Sequence, residues 1–100
     1  MEKSVLETLI EEIRADYQIP PYTQDHVIER AVQRCAARLG SLRKATDFEH
    51  DLIGRGYLKD FVYYDLNHRV EEFMTNYGSD IRAWMLQEEI DEEAAGSEQE

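Results

Sequence analysis

The chain has 100 residues, is 42% hydrophobic, and sets 22 acidic against 11 basic side chains for a formal net charge of −11. That is the length of one domain with an ordinary globular composition, and so acidic a chain is ill suited to wrapping DNA or RNA, which needs bases to displace counterions. One cysteine excludes an internal disulfide, and there is neither an apolar run of spanning length nor a signal-peptide core, so a soluble protein made in a cytoplasm, without membrane contact, is expected.

The first helix is predicted to open at Ser4, where Ser4 and Glu7 have capping-box spacing. Val5, Leu6, Leu9, Ile10, Ile13 and Tyr17 follow at helical spacing, and Pro20-Pro21 forbids continuation. Thr23 or Asp25 caps a second helix that buries Val27, Ile28, Ala31, Val32, Cys35, Ala36 and Leu39 and stops at Gly40. Its small residues allow a close neighbour. Arg30, Arg34 and Arg38, four apart, form a basic ridge beside that apolar face. Residues 41–56 read as an irregular loop closing onto the core through Phe48 and Leu52, with a short strand as the alternative.

The stretch 57–77 is predicted to be one long central helix. Leu58, Phe61, Val62, Leu66, Val70, Phe73, Met74 and Tyr77 recur at steps of three and four. Gly78 is positioned to end it and Ser79 to cap a last helix of about three turns carrying Ile81, Trp84 and Met85. Seven of the acids lie from Glu88 onward and no base follows Arg82. The expected architecture is all-α: three or four helices around one long central helix in a single domain over 1–90, then an acidic disordered tail over 91–100.

Chemistry finds little support in the pattern. His26, His50 and His68 are far apart and no Cys-x-x-Cys exists, so no metal or zinc set is expected. Cys35 sits on an apolar stripe and reads as a buried thiol. Gly54-Arg55-Gly56 is too short for a phosphate loop, and the Glu71-Glu72 and Glu88-Glu89 pairs point to different sides of a helix. No catalytic residue and no cofactor are expected. The surface is more informative. Tyr57, Tyr63, Tyr64, Trp84 and Met85 exceed the needs of so small a core. They either border it or serve a protein interface, where Tyr and Trp are common. The Arg30/Arg34/Arg38 ridge is either a solvated face or an ion-pairing surface for an acidic neighbour, and the tail is either solubilising or that neighbour's acidic segment.

Several short patterns occur together over residues 47–86. They are Asp47-Phe48, the aromatic run Phe61 to Tyr64, the basic and amide-bearing Asn67 to Arg69 where the family pattern has a turn, Glu72-Phe73, Asn76-Tyr77 and Ser79 to Ile81. In that order they resemble the core of the head–tail connector (head-completion, head–tail adaptor) proteins of tailed bacteriophages. Gly54-Arg55-Gly56 departs from the pattern, where relatives usually continue the helix. The resemblance implies a small all-helical virion protein at the head–tail junction, made in the host bacterial cytoplasm. It would dock on the portal after DNA packaging as a homo-oligomeric ring, usually dodecameric, and present a surface to the next head-closure or tail protein. DNA would pass through the channel without being read. The contacts expected to carry assembly are Arg30, Arg34, Arg38, Phe48, Tyr57, Tyr63, Tyr64, Arg69, Trp84 and Met85. The alternative from another class is an acidic DNA mimic or small helical regulator that blocks a nucleic-acid-binding partner.

Overall fold

In the computed structural model, which describes residues 2–42 and 47–98 (side chains as far as Gln87, that of Leu42 excepted), the periodic start of the chain becomes helix α1, Lys3–Tyr17. Val5, Leu6, Leu9, Ile10 and Ile13 are its buried face. The expected capping box does not form. Ser4 already lies inside the helix, Glu2 holds the cap position with no side-chain bond, and the Ser4 carbonyl instead accepts from Thr8 Oγ1 at 2.9 Å. Gln18 ends the helix in the left-handed region, φ 51°, with its N–H on the Arg14 carbonyl. Arg14 then ties down the proline loop: its guanidinium reaches the Thr23 carbonyl at 2.5 Å and Asp25 Oδ1 at 2.6 Å.

Helix α2, Asp25–Leu42, buries Ile28, Ala31, Val32, Cys35 and Leu39. Ala31 and Cys35 keep that face shallow, which lets another helix approach closely. Gly40 does not stop the helix, which continues for two more residues. Val27, expected in the core, is 40% exposed.

Helix α3, Leu52–Leu66, starts earlier than the sequence suggests because Asp51 caps it, accepting the Gly54 N–H at 3.0 Å. Of the segment 41–56, Ser41 and Leu42 therefore belong to α2, residues 48–50 form a turn, and Leu52 to Gly56 begin α3; residues 43–46 lie outside the described residues. No strand occurs among the described residues. Phe48 is buried as expected, whereas Leu52, its supposed companion, is 77% exposed.

The stretch 57–77 is not one helix. The chain turns back at Asn67–Arg69 and helix α4 runs from Val70 to Glu98. The Tyr64 carbonyl accepts from Arg69 N at 2.8 Å, and His68 adopts φ 57° to make the reversal. Asn67 Nδ2 donates to the Tyr63 carbonyl at 2.7 Å. The apolar residues nevertheless meet as expected, across two antiparallel helices instead of along one. Leu58, Phe61, Val62 and Phe73 are buried, and Leu66, Val70 and Tyr77 pack against them; Met74 is the exception, at 46% exposed. Gly78 lies within α4, which passes straight through it. The backbone of 91–98 continues that helix, and the side chains of the acidic tail, with all of 99–100, lie outside the described residues.

The result is an all-α bundle of four helices in which α3 packs on each of the other three. Three polar pairs fix its register against α1: Glu12 with Arg55 at 2.5 Å, Asp16 with Lys59 at 2.7 Å, and the Tyr17 hydroxyl donating to Asp60. Each pair joins residues 43 apart. A constant offset means that α1 and α3 run parallel. Burial and the bond to Asp60 push the Tyr17 phenol well above its ordinary value.

Three of these backbone features are open to direct test. A Cβ on Gly78 would meet nothing within 4 Å, whereas one on Gly54 would lie 3.0 Å from the Trp84 ring and 3.1 Å from Asp51 Oδ2. Gly78→Ala is therefore expected to stabilise the protein by about 0.5–1 kcal/mol. Gly54→Leu is expected to cost about 1–3 kcal/mol by displacing the indole; urea unfolding of the two variants checks the opposite signs. His68→Gly removes the left-handed penalty on a side chain and should raise stability by about 1 kcal/mol, read in the same titration.

Candidate protein–protein interface

The hairpin of α3 and α4 is held by aromatic rings. Phe61 and Phe73 stack at 4.4 Å between centroids and Phe73 and Tyr77 at 4.8 Å. Tyr64 meets Phe73 at 5.7 Å and Tyr77 edge-on at 6.1 Å. Tyr57 bridges Tyr77 and Trp84 at 6.5 and 5.7 Å. These edge-to-face and offset arrangements suit ring quadrupoles and add to the gain from burial alone.

The ten residues expected at an interface are thus divided. Phe48 and Trp84 are in the core of this chain, so neither is an exposed anchor. Trp84 also donates its indole N–H to Asp51 Oδ2 at 3.2 Å. Tyr57, Tyr64 and Met85 are half-buried against the core, and burial, helped by Asp80 and Asp51, raises the Tyr57 phenol. Tyr63 stacks on Tyr17 at 4.8 Å. Arg69 pairs with Glu72 and lies 5.9 Å over the Tyr64 ring. The arginine ridge of α2 is exposed as expected. Arg34 pairs with Asp65 at 2.5 Å, while among the described residues Arg30 and Arg38 make no ion pair.

The exposed apolar side chains are others. Tyr22 at the loop tip is 84% exposed, Ile53 63% and Leu86 51%, besides Leu52. Ile53 lies beside an open cleft of about 410 Å³ between the start of α3 and the middle of α4, lined also by Tyr57, Ala83 and Trp84, with Asp51 and Asp80 contributing carboxylates. Pattern reading missed this cleft because it had no helix start at Leu52. The available signal was Asp51, a good cap residue placed directly before it.

The titratable groups do little chemistry here. Cys35 is buried, and burial, reinforced by Asp65, pushes its thiol up to about 12, so it is a poor nucleophile. Asp47, Glu49 and His50 bring possible ligand atoms within 4.8 Å of one another on the surface. Asp47 and His50 already use side-chain atoms to close the turn before α3. Asp47 Oδ1 accepts from Glu49 N at 3.0 Å and Oδ2 lies 2.7 Å from His50 Nδ1. No described helix is long and apolar enough to cross a membrane. No protein-family model, characterised protein or solved structure matches the chain.

The Asp47–His50 pair has a defined pH window. Its hydrogen bond raises the His50 imidazole above its usual value and holds the Asp47 carboxyl below its own. His50's contribution is complete below its unfolded value and fades as pH rises through the raised one. Asp47's is complete above its unfolded value and fades as pH falls through the lowered one. The turn is therefore tightest between those limits. An NMR titration should place His50 above about 6.5, and Asp47→Asn should bring it back toward that value.

Proposed function

We propose that this protein is a head–tail adaptor of a tailed bacteriophage or prophage: a structural subunit that assembles as a ring on the portal and carries the next head-closure or tail component. The observation that carries the reading is where the resembling run falls. Residues 47–86, which contain the ordered motifs, are the residues that form the turn, α3, the reversal and the packed part of α4. Each motif has work to do there. Asp47 closes the turn and Phe48 plugs the core. The aromatic run, Phe73 and Tyr77 form the ring stack. Asn67 to Arg69 reverse the chain, and Ile81 is buried.

The shape is compatible with a ring subunit. Trp84 sits opposite Gly54, so α4 continues past the start of α3 for about three turns, roughly 18 Å at 1.5 Å per residue. An arm of that length extends the area one subunit can offer to a neighbour. The acidic balance suits a channel along which DNA slides without sticking. Single contacts of modest affinity become strong when many are made at once around a portal.

The expected result is a ring-shaped cap on the portal when the purified chain is mixed with portal protein from the same phage, seen by electron microscopy and as co-sedimentation. A chain that stays monomeric and leaves the portal bare at high concentration overturns the reading. Removing residues 91–100 separates adaptor from electrostatic mimic: an adaptor keeps its fold and its ring, whereas a mimic built on those charges loses binding to its nucleic-acid-binding target.

A further inference from the structure

The geometry points to one anchor of the contact with the portal: we infer that Tyr22, at the tip of the α1–α2 loop, is a plug that seats in an apolar socket on that protein. This rests on the adaptor reading and names a contact residue within it.

Tyr22 is the most exposed large apolar side chain among the described residues, where it makes no ring contact and no hydrogen bond. Folding gains little from such a ring, yet the backbone that carries it is held on both sides. Ile19 packs against the core, and its N–H donates to the Arg14 carbonyl at 3.2 Å. The Thr23 N–H donates to the Pro20 carbonyl at 2.9 Å, closing a four-residue turn with Pro21 and Tyr22 at its centre. Pro21 has a fixed φ, which sets the direction in which the turn presents Tyr22. Beyond the turn, the Arg14 guanidinium grips both the Thr23 carbonyl and Asp25. A ring on a turn braced in this way loses little freedom on binding, and tyrosine has few torsions to immobilise.

Size and charge define what receives it. One exposed tyrosine offers roughly 150–250 Å², whereas a stable interface takes about 800 Å² from each side. Two such tips set against each other fall far short. The ring is used in full only when it enters a concavity that also touches the residues around it. Those residues are uncharged. Tyr17 to Gln24 is the longest stretch of the sequence without an acid, lysine or arginine, in a chain that is 33% charged. The socket is therefore apolar where it meets the tip. A second copy is a poor host, because each chain brings a net charge of −11 and the two repel. A neutral or basic surface around the socket suits the approach of so acidic a chain.

Portal protein from the same phage is the probe. Tyr22→Ala should weaken co-sedimentation with it by about tenfold or more, and Tyr22→Phe, which keeps the ring, by clearly less. Pro21→Gly leaves the ring in place but frees the turn, and should weaken binding by about two- to fivefold. Circular dichroism checks that each variant keeps its helices. A benzophenone amino acid in place of Tyr22 should crosslink to the portal in preference to a second copy of the chain. If the unmodified chain caps the portal and Tyr22→Ala caps it equally well, or the crosslink runs chiefly to a second copy, this contact is overturned and the adaptor reading stands. A loss with Tyr22→Phe as deep as with Tyr22→Ala also overturns it, because the ring is then not the anchor. An unmodified chain that leaves the portal bare overturns both.

Discussion

Phe73 has no solvent-exposed surface, and its ring lies in a stack with Phe61 and Tyr77. The fold depends on this contact because it holds α4 against α3. The turn between them is only three residues long and needs His68 in a left-handed conformation, which costs roughly 1–2 kcal/mol for a residue with a Cβ. Burying a phenylalanine is worth more, since truncating one to alanine in a core typically costs about 3–5 kcal/mol. The ring stack therefore decides the reversal, and the turn tolerates it. The same antiparallel arrangement brings Trp84 against Gly54 and Asp51, so the cap of α3 and the packing of α4 are one construction.

The other side of α3 is fixed by a different kind of force. Its contacts with α1 include the three polar pairs at one constant offset, and Arg55 also donates to the Phe48 carbonyl at 3.2 Å. The Arg55 side chain is only 13% exposed, so its bonds are stronger than those of a surface pair, and losing its partner would leave a charge short of water. Apolar side chains would hold α1 against α3 in several registers. The pairs at one offset select among them. Arg55 thus links the 47–50 turn, α1 and α3, and the Gly-Arg-Gly that looked like an interruption is the place where these three meet.

Most of the fold was legible in the sequence because burial follows period. The faces of α1 and α2 and the ring-bearing stripe emerge from spacing alone. The reversal at Asn67–Arg69 does not, for a physical reason. A three-residue turn leaves Leu66 and Val70 four apart, which is also helical spacing, so the stripe continues in the sequence while the backbone folds back. Neither Gly nor Pro marks the turn; the signals were Asn67, a turn former, and His68, which enters the left-handed region more readily than most residues, and the resemblance alone placed a turn there. Gly78 misled in the other direction. It reads as a stop, yet α4 passes through it because Phe73, Ile81 and Trp84 are buried and Tyr77 half-buried on one face on both sides. The interface residues were legible by type but not by place. Tyr57, Tyr64 and Met85 border the core, one of the two alternatives the sequence left open, and Trp84 goes inside it. Of the exposed apolar residues, Tyr22, Val27, Leu52 and Ile53 lie beside helix ends and loops, and Met74 and Leu86 lie within α4.

That redistribution changes what kind of contact the surface can make. Buried aromatic anchors give tight, small interfaces that form between two molecules at low concentration. Here most of the rings are buried or half-buried against the core, and what remains outside is Tyr22 and scattered aliphatic surface with separated charges. Each such contact is weak alone, since exposed ion pairs contribute at most about 1 kcal/mol and isolated aliphatic residues cover little area. Subunits of this kind gain from being held together by something else. On the symmetric template proposed above, each copy would already be placed beside the next, and weak contacts would add around the circle. Off such a template they would not add. Buried rings and the exposed side chains of Arg30 and Arg38 are consistent with the adaptor proposed above.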